Sequence, residues 1–199
     1  MSESHPKSEE VYVEVGPGLA PAVVTGSRTF EDGRMYIGVD SAEGDYMATA
    51  EGDYGQQVQR KLAALATKMA SERPGERIAF IEGDGKQLPL ADDSVKEVYM
   101  ANILTAPQRP SDRRKLLSEA YRVLEDDGTA VVKVTWDAWM WPKDEVAKWV
   151  EKASLNVSMV AEAGTDEYTA LEKTYGASEG QGDDGYYIVA GKHSSELAK

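Results

Sequence analysis

The residues Glu14-Val15-Gly16-Pro17-Gly18 close a β-branched run and put two glycines where a chain must turn sharply. Glycine has no β-carbon and tolerates positive φ, so a turn of this kind lets backbone N–H groups come close to a ligand. Alone it is weak evidence, because any alternating αβ fold can turn on glycine. Asp40 ends the next apolar run, where a carboxylate can accept two hydrogen bonds from a ribose diol, or can stand as a solvated strand-end charge. Asp84-Gly85 and Asn102 follow the third and fourth runs. A fifth run leads into Trp136-Asp-Ala-Trp139-Met-Trp141-Pro. Aromatic faces there could stack a flat substrate or surround a cation, and could equally pack beneath the helix that follows. Asp137 is the nearest candidate base. Arg109, Arg113 and Arg114 could meet an anionic substrate or form a solvated helix start.

Positioning these residues requires strands that end together. Val11 to Val15, Met35 to Val39, Ile78 to Ile81, Val95 to Ala101 and Thr129 to Val134 read as five strands. Two helices stand between them. Gln57 to Ser71 carries Val58, Leu62, Leu65 and Met69 on one face, and Asp112 to Leu124 carries Leu116, Leu117, Tyr121 and Leu124. A short helix from Ala20 to Val24, with Pro21 first, is cut off by Thr25-Gly26-Ser27. Strands alternating with helices predict a parallel sheet covered on both faces, with its ligand crevice at the carboxyl ends of the strands. A helix over Lys143 to Ala153 precedes two further strands, Asn156 to Glu162 and Tyr186 to Ala190, which read as an antiparallel addition at the sheet edge. The expected fold is therefore α/β: a three-layer, doubly wound, mostly parallel seven-stranded sheet with an antiparallel C-terminal edge strand.

Two segments read as insertions. Ala42-Glu-Gly-Asp-Tyr46 recurs as Ala50-Glu-Gly-Asp-Tyr54, too short for a repeat architecture. Gly164 to Gly185 is too long for a hairpin turn and has room for a helix from Asp166 to Tyr175. Either could cover a pocket or decorate the surface. We expect one domain over residues 11–192, with a disordered tail before it and a short tail over 193–199.

Composition narrows the function. The 199 residues are 41% hydrophobic and 29% charged, with no apolar run long enough for a membrane span and no apolar signal segment, so a soluble cytoplasmic protein is expected. There is no cysteine, which removes disulfides and thiolate chemistry, and the two histidines, His5 and His193, lie in the tails. No metal site is expected. A net charge of -13 repels polyanions and argues against nucleic acid as substrate.

The segments VEVGPG, YIGVD, IEGDGKQLPLADDSVKEVYMANIL and LLSEAYRVLEDDGTAVVKV together resemble the successive motifs of class I S-adenosylmethionine-dependent methyltransferases. The resemblance spans Val11 to Val134 and is closest to the small-molecule branch that includes ubiquinone-biosynthesis-like enzymes. The Gly-Asp-x-x-x-Leu-Pro loop with Asp-x-Ser-Val after it is the specific part. It implies S-adenosylmethionine as cofactor, with Glu14, Gly16, Pro17 and Gly18 beside its methionine part. Asp40, with Ser41 next to it, would face the ribose hydroxyls. Asp84 and Gly85 would receive the adenine amine, a donor suited to an acceptor, and Asn102 and Ile103 would line the site. Trp136 and Trp139 would face a small-molecule acceptor.

The chain departs from the pattern at Ala20, where a third glycine is common, and in the shortness of its first helix. Asn102-Ile-Leu-Thr also differs from the Asn/Asp-Pro-Pro-Tyr motif of enzymes that methylate adenine or glutamine amides. Two other functions stay open. One is a methyltransferase-like protein that binds without catalysis. The other is a NAD-type oxidoreductase, although Pro21 occupies the last glycine position of G-x-G-x-x-G.

Overall fold

The structure is a computed structural model, and it describes residues 9–17, 21–26, 28–31, 33–41, 54–105, 109–135, 138, 140–176 and 185–192. Among these, seven strands form one sheet. The elements in chain order are β1 (Glu10–Val15), α1 (Ala22–Thr25), β2 (Arg34–Asp40), α2 (Tyr54–Glu72), β3 (Arg77–Glu82), β4 (Val95–Ala101), α3 (Pro110–Val123), β5 (Leu124–Val134), α4 (Lys143–Lys152), β6 (Leu155–Glu162), α5 (Asp166–Tyr175) and β7 (Tyr186–Lys192). The sheet order is β3-β2-β1-β4-β5-β7-β6. The first five strands pair in parallel, and β7 pairs antiparallel to both β5 and β6. The antiparallel strand is thus the last in sequence, and it sits second from the edge, with β6 outside it.

Alternation along the strands assigns each face its helices. Val13 and Val15 of β1, Val98 and Met100 of β4, Ala130 and Val132 of β5 and Ile188 of β7 pack with Leu116, Leu117 and Ala120 of α3 and with Val146 and Val150 of α4. The intervening residues face the other way. There Phe30, Tyr36 and Phe80 meet Met69 of α2 and Val23 of α1, while Tyr99, Val131 and Tyr187 lie under Leu171 and Tyr175 of α5. Of the other members of the apolar stripe of α2, Val58 and Leu62 are buried and Leu65 is half-buried.

Element ends follow local chemistry. Pro110 opens α3 after an extended Arg109 (φ -62, ψ 146), because proline fixes φ and has no N–H to lose. The expected end of this helix at Leu124 is one residue late: Leu124 is extended (ψ 137), fully buried, and pairs with Val95 as the first residue of β5. Pro21 precedes α1 rather than opening it (ψ 144). Thr165 caps α5 by accepting from the Tyr168 N–H at 3.2 Å, and the helix spans the range read from sequence. The acidic repeat over 42–53 lies outside the described residues.

Candidate functional site

The turns after β1, β2, β3 and β4 emerge side by side at the carboxyl edge of the sheet, because those four strands are neighbours and parallel. Backbone hydrogen bonds stitch this edge together. The Gly16 N–H donates to the Val39 carbonyl at 2.8 Å, the Gly83 N–H to the Asp40 carbonyl at 2.9 Å, and the Asn102 N–H to the Lys133 carbonyl at 2.8 Å. Helix α2 joins through Gln59, whose Nε2 donates to the Asp40 carbonyl at 3.0 Å.

Gly16 has φ +70, and a β-carbon there would stand 2.7 Å from Cδ1 of Ile103. The isoleucine tip could shift, so the left-handed backbone is the stronger reason for glycine, costing another residue about 1–2 kcal/mol. The β1 turn and the β4 turn therefore touch through Gly16 and Ile103. Pro17 closes over Gly38 of β2, its Cγ 3.3 Å from where a β-carbon would be. Gly85 is required by packing: a β-carbon would meet Val15 at 2.5 Å and Leu116 at 2.8 Å.

The acids at this edge differ in state. Asp40, half-buried, ends β2 opposite Glu82 of β3, and Ser41 follows it. Asp84 is about half exposed, and its Oδ1 accepts from the Lys86 N–H at 2.8 Å, an aspartate-capped turn. Glu14 is 3% exposed. Its carboxylate lies under α1, accepting from the Ala22 N–H at 2.7 Å and from the Tyr36 hydroxyl. Glu14 thus supplies from β1 the cap that Pro21 cannot give to α1. Burial pushes its carboxyl up to about 7; the hydrogen bonds from Tyr36 and Ala22 work against this, and the charge on Asp40 adds to it.

Asn102 has φ +55, a conformation asparagine tolerates better than most residues. Its Oδ1 accepts from the Thr135 N–H at 2.8 Å and from the Thr135 hydroxyl at 3.0 Å, tying the β4 turn to the end of β5. Of the residues singled out in the sequence, Gly16, Pro17, Asp40, Ser41, Asp84, Gly85, Asn102 and Ile103 share this edge, with Glu14 beneath it. Gly18, Trp136, Asp137 and Trp139 lie outside the described residues. Trp141, from the same aromatic loop, packs edge to face on Trp149 of α4, as the packing reading expects.

Sequence reading missed a polar cluster next to the site. Arg28 pairs with Glu97 and reaches the Tyr175 hydroxyl at 3.3 Å, around a cavity of about 20 Å³ also walled by Tyr12, Tyr36 and Tyr99. Burial is the main cause pushing the Tyr12 phenol up to about 12, and it also raises those of Tyr36 and Tyr99 well above the usual phenol range. The available signal was parity: Tyr12, Glu14, Glu97 and Tyr99 are the polar alternates of strands expected to be apolar on both faces. Among the described residues no group of three or more acidic or histidine side chains could hold a metal, and no helix is long and apolar enough to cross a membrane.

Residues 29–132, more than half of the chain, match the family model described as a methyltransferase domain. No curated protein matches. Among solved structures, the chain is similar to a TehB-like S-adenosylmethionine-dependent methyltransferase from Corynebacterium glutamicum, with 14% identity over 93% of this chain and 81% of that one and a TM-score of 0.56. It is similar to a S-adenosylmethionine-dependent methyltransferase from Methanosarcina mazei, with 14% identity over 94% and 95% and a TM-score of 0.58. The [4+2]-cyclase SpnF shares the fold as well, with 15% identity over 94% and 76% and a TM-score of 0.61.

Proposed function

The chain belongs to the class I S-adenosylmethionine-dependent methyltransferases, and from that premise we propose that it moves a methyl group from S-adenosylmethionine to a small-molecule acceptor. The observation that carries this reading is the meeting of four strand-end turns at one edge, with a left-handed Gly16 in contact with Ile103 and a carboxylate, Asp40, on the adjacent strand.

The residues present fit such a cofactor. The turn at Gly16 carries no β-carbon, and the carboxylate acceptors of Asp40 and Asp84 suit the donors of both a diol and an amine. Gly16, Pro17 and Gly18 would hold the methionine part, with Glu14 fixing the turn from beneath. Asp40 and Ser41 would take the ribose hydroxyls, Asp84 and Gly85 the adenine amine, and Asn102 and Ile103 the intervening wall. When bound, the cofactor supplies an electrophilic methyl group on a positively charged sulfur. The chain's own contribution is then orientation and exclusion of water, which for an electron-rich acceptor provides much of the acceleration without a catalytic side chain. Trp136 and Trp139 would present aromatic faces to the acceptor, and Asp137 would serve as base where the acceptor must lose a proton.

A second reading is a methyltransferase-like protein that binds without methyl transfer. It is favoured by α1, which has only four residues. The cyclase among the similar structures is a reminder that this fold hosts other reactions.

Calorimetric titration separates the readings. We expect S-adenosylmethionine to bind and NAD not to bind, and Asp40→Ala to weaken cofactor binding by about 1.5–3 kcal/mol with the fold retained. Binding of NAD without S-adenosylmethionine would overturn the proposal. Unchanged affinity in the variant would overturn the ribose role of Asp40. Cofactor binding with no methyl transfer to any of a panel of small nucleophiles would favour the second reading.

A further inference from the structure

Between α3 and α4 lies a cavity of about 280 Å³, with walls that include Arg113, Arg114, Trp141, Glu145, Trp149 and Lys152. Its charge is opposite to that of the molecule. The chain carries -13, yet this wall has three cations against one carboxylate. Elsewhere Lys96, Arg122 and Lys192 are each matched by an aspartate. Among the described residues, Arg113, Arg114 and Lys152 have no such partner.

The site is also preorganised. The Arg113 guanidinium stands over both indoles, 4.7 Å from the centre of Trp141 and 4.2 Å from that of Trp149, and the two rings meet edge to face at 5.2 Å. Trp141 is held from the sheet side, where the Tyr186 hydroxyl donates to its carbonyl at 2.7 Å. Two donors of this cluster, Nε of Arg113 and Nε1 of Trp141, are buried and have no acceptor among the described residues. Buried N–H groups are nearly always paired, so two orphans in one wall mark a place where an acceptor belongs. The volume lies just below the usual range for ligand pockets, roughly 300–1,000 Å³, as suits a small ligand.

We propose that this cavity binds a small aromatic carboxylate. The carboxylate takes the unpaired Trp141 N–H and the charges of Arg114 and Lys152, while its ring lies against Trp149 and Leu117. A bare phosphate would leave those apolar walls facing a hydrated dianion, and Glu145 would repel it more strongly than a monoanion. The lining shares no residue with the turns after β1, β2, β3 and β4 that would hold the cofactor, so this inference does not rest on cofactor binding there.

The test is a magnetic-resonance titration of the isotope-labelled full chain without cofactor. The indole N–H signal of Trp141, assigned by its loss in Trp141→Phe, is followed with benzoate, benzamide and inorganic phosphate. Benzoate should shift that signal saturably. Benzamide should bind at least about tenfold more weakly, as should benzoate with the double variant Arg114→Gln/Lys152→Gln. Both rim side chains are exposed, so the variant should fold, and its remaining indole signals check that it does. No saturable shift with benzoate would overturn the proposal. So would equal binding of benzamide, or phosphate binding as tightly as benzoate.

Discussion

At the scale of single residues, Glu14 is the most consequential side chain near the site. In an unfolded chain its carboxyl ionises near 4.5, and in the folded protein burial raises this to about 7. Between these values the folded state holds a proton that the unfolded state has lost, so stability must fall as pH rises. The contribution is fully present below 4.5 and gone once pH passes about 7, and its size is on the order of 3 kcal/mol. Urea unfolding on either side of this window should show the loss in the native chain and a much flatter profile in Glu14→Gln, which is neutral throughout. Parallel profiles would mean that Glu14 is not the titrating group. As a strand-end acid beside a glycine turn, Glu14 was legible in the sequence. Its direction was not, because its partners, Tyr36 and Ala22, come from two other elements and only pleat parity sends the carboxylate under α1.

Among the elements, α5 shows what sequence reveals and what it hides. Its limits follow from local chemistry, with Thr165 as cap and Asp166 and Glu167 in the first turn. Its docking place depends on a long-range pair: Lys133 of β5, 1% exposed, meets Glu172 of α5 at 2.6 Å and also donates to the Gly176 carbonyl at 3.2 Å. Nothing near Lys133 in sequence shows that a strand lysine will be buried. A buried pair adds little beyond its desolvation cost, but removing one partner leaves the other charge buried with less to offset it, at up to about 3–5 kcal/mol. Glu172→Ala should therefore lower unfolding free energy by a few kcal/mol. The double variant Lys133→Met/Glu172→Leu should recover most of it. Equal stability of Glu172→Ala and the native chain in denaturant titration would show that α5 is held by its tyrosine and leucine contacts alone.

For the whole molecule, net charge outweighs the individual ion pairs. Exposed pairs such as Lys68–Glu72 contribute about 0–1 kcal/mol each, whereas a charge of -13 repels itself over the entire surface. Raising salt from about 10 mM to about 150 mM shortens the screening length from about 30 to about 8 Å. The melting temperature should then rise by about 2–4 °C, equivalent to about 1 kcal/mol for a chain of this size. A fall in a calorimetric scan would mean that the pairs dominate. Parallel pairing and helices on both faces could be read from the alternation of elements. The place of β7 could not, since period-two patterning does not say which strands become neighbours. That placement has a consequence during synthesis. The residues of β6 leave the ribosome before those of β7, which among the described residues is the one strand beside which β6 lies. At about 5–20 residues per second, β6 waits about 1–6 s as an unpaired edge, the interval in which chaperones or other nascent chains can capture it.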